Sequence, residues 1–300
     1  MKAIDFSSKH EIWIRNPDGS LQRMDEPFYE SKKIAPGTWM ILSDGDYQYL
    51  VEGENEAVAI DTGYGAGNLR EYMQTLTDKP VRVAFNTHEH FDHTANNGYF
   101  DKCYMTAGAL PLATLPFPSF AGIDFPQDYP REAVSAGFVY DLGGRKLEVL
   151  EMNFHAHSLL LLDRKERILF SGDEFADRGG GPRAPRTVLE YYNQLKVIAS
   201  HRDEYDYLCG GAASMMDAVL VDRLLQSAEY VLNGGEGSLP EPNPLRKPAE
   251  PDPQGRIIYG RKSARPEDMV HPERKNDLPT RLMEVTCFGV RFVYDANYIR

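Results

Sequence analysis

Three hundred residues, 42% of them hydrophobic and 26% charged, are enough for one large domain or two small ones with a sizeable core. A formal net charge of −12 argues against a nucleic-acid partner, whose phosphates need clustered Lys and Arg, and against an anionic membrane surface. It leaves an anionic small-molecule substrate open, because a metal pair would dominate the local field.

The first ten residues, Met1 to His10, contain no apolar h-region, and no stretch approaches the roughly 18 apolar residues of a membrane span. Cys103, Cys209 and Cys287 are odd in number and widely spaced, as in reduced thiols rather than a disulfide framework. Together these features predict a cytoplasmic protein.

In chain order, residues 39–43 and 47–52 read as strands paired across the turn Asp44-Gly45-Asp46. Residues 56–60 form a further strand that ends at Asp61-Thr62-Gly63. A helix is expected over 67–76, where Leu69, Tyr72, Met73 and Leu76 share one face. The next strand, 81–85, delivers the run Thr87-His88-Glu89-His90-Phe91-Asp92-His93. Three of the chain's eight histidines lie in that run, with Asp92 between the second and the third. Imidazole and carboxylate are donors that Zn²⁺, Fe and Mn²⁺ accept. A short loop past a strand end can turn His88 and His90 toward one ion while Asp92 and His93 face a second.

Residues 107–131 carry five prolines and are expected to be irregular, flanking a pocket. A second β-rich block opens at 146–152 and passes through His155-Ala156-His157. Its strands at 158–162 and 168–170 close on Ser171-Gly172-Asp173. Helices are predicted over 187–201 and 215–232. Residues 233–255, rich in Gly and Pro, read as a surface excursion, and strand-like pieces follow at 256–259 and 289–294. Both halves of the chain share one order: hairpin strands, a ligand loop, then a helix.

From residue 36 to 232 these pieces resemble the metallo-β-lactamase-fold hydrolases. That family reads H-x-H-x-D-H, then a histidine from a G-H-T-P-G-S-like turn, an aspartate from an F-S-G-D-like strand end, and a histidine from a P-G-H-like turn. His88, His90, Asp92 and His93 match the first element, and Asp61 matches the aspartate that braces the loop. Phe170-Ser171-Gly172-Asp173 matches the strand end that supplies the carboxylate shared by two metals. The resemblance implies an α/β fold, a four-layered αββα sandwich. It also implies one metallo-hydrolase domain over 1–300, with the ligands in 36–232 and with 233–300 completing the fold.

Two elements depart from the pattern. Counting forward from Glu148 places His155 on the middle histidine, with the turn after it one residue short; His157 is the alternative ligand. At the last element, Tyr205-Asp206-Tyr207-Leu208-Cys209-Gly210-Gly211-Ala212 has no histidine. Ala212 stands at the missing-ligand position, or Gly211 if the register shifts by one. A natural departure and a deliberate histidine replacement would both leave that alanine. His271 or a Cys209 thiolate are further candidates to complete the site.

On this resemblance His88, His90 and His155 hold one ion, Asp92 and His93 face a second, and Asp173 is shared. The cofactor is Zn²⁺, one ion or two, with Mn²⁺ or Fe as alternatives. Paired ions make a water nucleophilic at neutral pH, and Asp92 is the candidate catalytic group that orients it and passes on its proton. Tyr99, Tyr191 or Tyr192 could donate to an oxyanion. The implied activity is hydrolysis of a small ester, lactone, thioester or amide, weakened by the gap at Ala212. The alternatives are a metal-binding, non-catalytic member of the fold and a di-iron oxidoreductase. The expected partner is a small-molecule substrate.

Overall fold

Strands buried on both faces, such as Ala57–Ile60 and Leu159–Asp163, build this molecule in layers, as the computed structural model shows. It describes residues 12–300 apart from 17, 44–45, 64, 114–127, 178, 183, 241–250 and 261–279. Strands β1 (Ile12–Arg15) and β2 (Leu21–Arg23) pair antiparallel. A seven-stranded sheet follows, made of β3 (Glu30–Ala35), β4 (Thr38–Ser43), β5 (Asp46–Glu52), β6 (Ala57–Ile60), β7 (Val81–Phe85), β8 (Lys102–Met105) and β9 (Arg131–Ala133). Helix α1 (Leu69–Gln74) crosses between β6 and β7, and the single turn α2 (Phe91–Thr94) follows β7. The second sheet has six strands: β10 (Val139–Asp141), β11 (Lys146–Glu151), β12 (Leu159–Asp163), β13 (Ile168–Gly172), β14 (Tyr207–Gly210) and β15 (Met215–Asp217). Helix α3 (Val188–Ala199) joins β13 to β14, and α4 (Val219–Leu232) follows β15. The chain closes with β16 (Ile257–Gly260), which pairs with β1, and with the hairpin of β17 (Leu282–Cys287) and β18 (Val290–Asp295).

The period of two sorts each strand's side chains into separate cores. Tyr47, Tyr49 and Val51 of β5, Val58 and Ile60 of β6, and Phe85 of β7 face the second sheet. Leu159 and Leu161 of β12 and Ile168 and Phe170 of β13 meet them there. On the far side of the first sheet, Leu50, Ala57, Ala59 and Ala84 pack under Leu69 and Met73 of α1. Leu160, Leu162 and Leu169 face the other way, onto Leu195 and Ile198 of α3 and Leu224 of α4. Each large aliphatic side chain buried in this way contributes about 1.5–3 kcal/mol. Four layers result, helix–sheet–sheet–helix, as the expected αββα sandwich requires.

Both β6–β7 and β13–β14 are parallel, so their helices must cross over and all four strands end at the same edge. Asp61 follows β6, the histidine run follows β7, Asp173 follows β13, and Gly211 follows β14. An open parallel sheet collects its ligands at such strand ends.

Several boundaries differ from the sequence reading. The helix expected over 215–232 starts only at Val219, because Met215, Met216 and Asp217 pair with Cys209, Leu208 and Tyr207 at the sheet edge. The helix expected over 67–76 is the shorter Leu69–Gln74, with Asn68 capping the Glu71 amide. Helix α3 starts at a capping box between Thr187 and Glu190. Part of the proline-rich segment (114–127) and part of the 233–255 excursion (241–250) lie outside the described residues. Among the described residues no helix is long and apolar enough to cross a membrane.

Candidate metal centre

Asp61 organises the histidine run. It sits in the left-handed region at φ +61°, and its carboxylate reaches across to the end of β7. Oδ1 accepts the Thr87 amide at 2.7 Å, while Oδ2 accepts the Thr87 hydroxyl at 2.7 Å and lies 2.9 Å from His93 Nδ1. A carboxylate can only accept, so Nδ1 of His93 carries the proton and Nε2 faces the centre. The Thr87 hydroxyl has committed its one proton to Asp61 and therefore accepts from His88 Nδ1, 3.0 Å away. One aspartate thus sets the tautomer of two rings and frees both Nε2 atoms for ligation. Gly172 permits this contact: it has φ +51°, and a Cβ there would stand 2.3 Å from Thr87 Oγ1.

His155 arrives from the turn between β11 and β12. The buried carboxylate of Glu174 accepts the amides of Phe154 and His155 at 3.0–3.2 Å and fixes that turn. Burial pushes the Glu174 carboxyl up to about 7, against the hydrogen bonds it receives. Glu89 points away from the histidines flanking it, and accepts the His157 amide at 3.1 Å with Nδ1 of that ring at 2.8 Å. These two acids hold the backbone of the 154–157 turn.

His88, His90 and His155 each present a ligand atom, all within 4.8 Å of one another. His155 Nε2 faces His90 Nδ1 at 3.0 Å, a pair of ring nitrogens that must share a proton or an ion. Asp173 lies beside this group with Oδ2 3.6 Å from His155 Nε2, and its Oδ1 is 3.7 Å from His93 Nε2. Its two oxygens are therefore divided between the two halves of the site. A second grouping joins His88, His93 and Asp173, and a third joins Asp46, Asp92 and His93, on the same spacing. Asp92 Oδ1 is 3.9 Å from His93 Nε2.

Of the other residues read from the sequence, His157 turns to Glu89 and stands outside these groupings. Gly211 has no room for a side chain, since a Cβ would lie 2.5 Å from both Asp173 Oδ1 and His93 Cε1. Ala212 is exposed and donates its amide to Asp173 Oδ1 at 2.9 Å. Burial raises the Cys209 thiol to about 12, so it offers no thiolate beside the gap. Tyr191 is core, edge-on to Phe154; Tyr192 packs on the same cluster, and Tyr99 packs under α1. His201 pairs with Glu204, and His271 lies outside the described residues. Sequence reasoning missed Asp46, Glu89 and Glu174. Glu89 and Glu174 adjoin proposed ligands, which is the only sequence signal they carry.

The donor set fits a divalent cation. Four imidazoles and three carboxylates converge at this site, and His93 Nε2 is buried without a hydrogen bond. Burial disfavours a charged His93, yet Asp61, Asp92 and Asp173 outweigh it and push the imidazole up to about 10. The pocket thus draws positive charge to itself, and a bound cation would supply the same compensation.

The family model of the metallo-beta-lactamase superfamily matches residues 45–253. A protein of Bos taurus named acyl-coenzyme A thioesterase MBLAC2 is 31% identical over 234 residues, covering 67% of this chain and 75% of that one. A metallo-beta-lactamase from Pontibacter korlensis superposes with a TM-score of 0.52 at 18% identity, over 67% of this chain and 99% of that one. The metallo-beta-lactamase FIM-1 from Pseudomonas aeruginosa, in its mono-zinc form, gives 0.52 at 15% identity, over 69% and 97%. At such identities the two solved structures speak for the fold alone.

Proposed function

The chain belongs to the metallo-β-lactamase superfamily and is a hydrolase of that fold; from that premise we propose that it cleaves thioesters with the help of bound zinc. The observation that carries this reading is the convergence of His88, His90 and His155, with Asp173 turned toward both them and His93. Zinc held there would act as a Lewis acid on the substrate carbonyl and make water acidic enough to attack near neutral pH.

The chain's own residues supply the rest. Asp61 and Thr87 engage Nδ1 of His93 and His88, so Nε2 is the atom each ring turns toward the ion. Asp92, buried beside His93, accepts the proton of the attacking water and orients its lone pair toward the carbonyl carbon. A thioester suits such a site on chemical grounds. Its leaving group departs as a thiolate, whose conjugate acid has a pKa of ~8.5, whereas an amine must be protonated as it leaves. No described imidazole stands on the 210–212 turn to strengthen the second half of the site, so substrates needing the least help on departure are favoured. The thioesterase name of the bovine relative, at 31% identity, points the same way.

The test is turnover of a panel of acyl-coenzyme A thioesters, chromogenic esters, lactones and an amide, with Zn²⁺ or Mn²⁺ added. Thioesters should be cleaved fastest. Preference for a lactone or amide would refute the substrate assignment, and metal binding without any turnover would leave a non-catalytic member of the fold.

A further inference from the structure

The last imidazole of the family pattern is absent, and its place is bordered by a carboxylate the pattern does not contain. We propose that Asp46 is a ligand of the second ion, making Asp46, Asp92 and His93 a carboxylate-rich centre beside the tri-histidine one. This rests on the metal-dependent reading above.

Asp46 opens β5 and is 2% exposed. It lies opposite Ser43 in the β4–β5 hairpin, and its carboxylate shares a 4.8 Å neighbourhood with Asp92 and His93. The hairpin is stitched to the segment that lacks the histidine. The amide of Tyr47 donates to Gly211 O at 2.8 Å, and the Tyr49 hydroxyl donates to Gly210 O at 2.6 Å. Asp46 is therefore carried to the border of the gap by the residue next to it in sequence. From the other side, Gly211 cannot fill the gap, because a Cβ there collides with Asp173 and His93.

His93 supplies the independent sign of a ligand. Its Nδ1 is committed to Asp61, and its Nε2 is fully buried without a hydrogen bond, aimed between Asp92 and Asp173. Two carboxylates held this close in a low-dielectric pocket repel, and a divalent ion between them turns that repulsion into attraction. Two carboxylates and one imidazole form a harder, more anionic set than three imidazoles. The two centres should therefore differ in the ions they prefer, the second accepting Mn²⁺ more readily.

The experiment strips the whole chain of metal, titrates it with Zn²⁺, and counts ions per folded chain by native mass spectrometry. The wild-type protein should take up two ions. Asp46→Asn, which keeps the shape of the side chain, should keep the first and bind the second at least about tenfold more weakly. Two ions of unchanged affinity in Asp46→Asn, or a wild-type chain that saturates at one, would overturn the inference and leave the first centre standing. A wild-type chain that takes up no ion would overturn the metal-dependent reading with it. Anomalous diffraction from zinc-loaded wild-type crystals needs no variant to fold. An Asp46 oxygen should lie within about 2.0–2.2 Å of the second ion, and a distance beyond bonding refutes its role as a ligand.

Discussion

Replacing Asp61 with Asn probes the brace on which the whole histidine run depends. Asparagine keeps the shape and tolerates the left-handed φ of +61°, so the change removes one negative charge and one acceptor. The carboxylate now takes the Thr87 amide at 2.7 Å, the Thr87 hydroxyl at 2.7 Å and His93 Nδ1 at 2.9 Å. With the new amide nitrogen in the Oδ2 position, His93 has to move its proton to Nε2, the atom that faces Asp92 and Asp173. The Thr87 hydroxyl would then donate to His88 Nδ1 and shift that proton as well. With the nitrogen in the Oδ1 position, it faces the Thr87 N–H and leaves a buried donor unmatched, at about 1–3 kcal/mol. Loss of charge assistance in the surviving bonds adds roughly 1 kcal/mol. A net penalty of about 2–4 kcal/mol corresponds to ion binding about 30- to 700-fold weaker, at roughly 1.4 kcal/mol per decade. Competition with a zinc-binding dye measures this, and urea unfolding run alongside checks the fold. A folded Asp61→Asn protein that binds zinc within about twofold of wild type would refute the tautomer argument.

Glu174 makes a prediction about pH. Burial raises its carboxyl from 4.5 to about 7, so between those values the folded chain holds a proton that the unfolded chain has released. Its contribution to stability is complete below about 4.5 and is lost as the pH rises to about 7. In metal-free protein, Glu174→Gln should flatten that part of the stability profile; urea midpoints across the range that keep the wild-type slope would contradict it. The two histidines of the 155–157 turn should separate cleanly. His155→Ala should lose the first ion, while His157→Ala should keep it and lose only the contact with Glu89, about 1 kcal/mol by urea unfolding. Ala212→His should tighten the second ion in a zinc titration, and unchanged affinity would show that an imidazole at 212 does not reach it.

The candidate ligands that follow one another in the chain were legible, and those assembled by packing were not. His88, His90, Asp92 and His93 fall within one loop, whose spacing exposes them, and Asp61 and Asp173 each end an apolar strand where the family resemblance looks for a carboxylate. Asp46 looks like any acid in a hairpin turn. Its position emerges only when the Tyr47 amide docks on Gly211, a contact between two sheets that local pattern does not encode. Glu89 and Glu174 hide beside more conspicuous neighbours, and only the backbone's direction shows them facing the His155 turn. The start of α4 was misread because the apolar run Met215-Met216 continues into Leu220 and Val221, where periodicity cannot separate an edge strand from a helix. The Glu30–Ala35 strand was missed because its polar, largely exposed edge carries no alternation to read.

Metal removal and add-back on the wild-type chain tests the central claim most directly. The protein is stripped with a chelator, assayed on an acyl-coenzyme A thioester, and assayed again after Zn²⁺ is restored, beside a variant carrying His88→Ala and His90→Ala. Turnover should vanish in the stripped protein, return with zinc, and stay absent in the double variant. Undiminished thioester hydrolysis by the metal-free chain, or by the double variant, would contradict a metal-dependent hydrolase built on this histidine cluster.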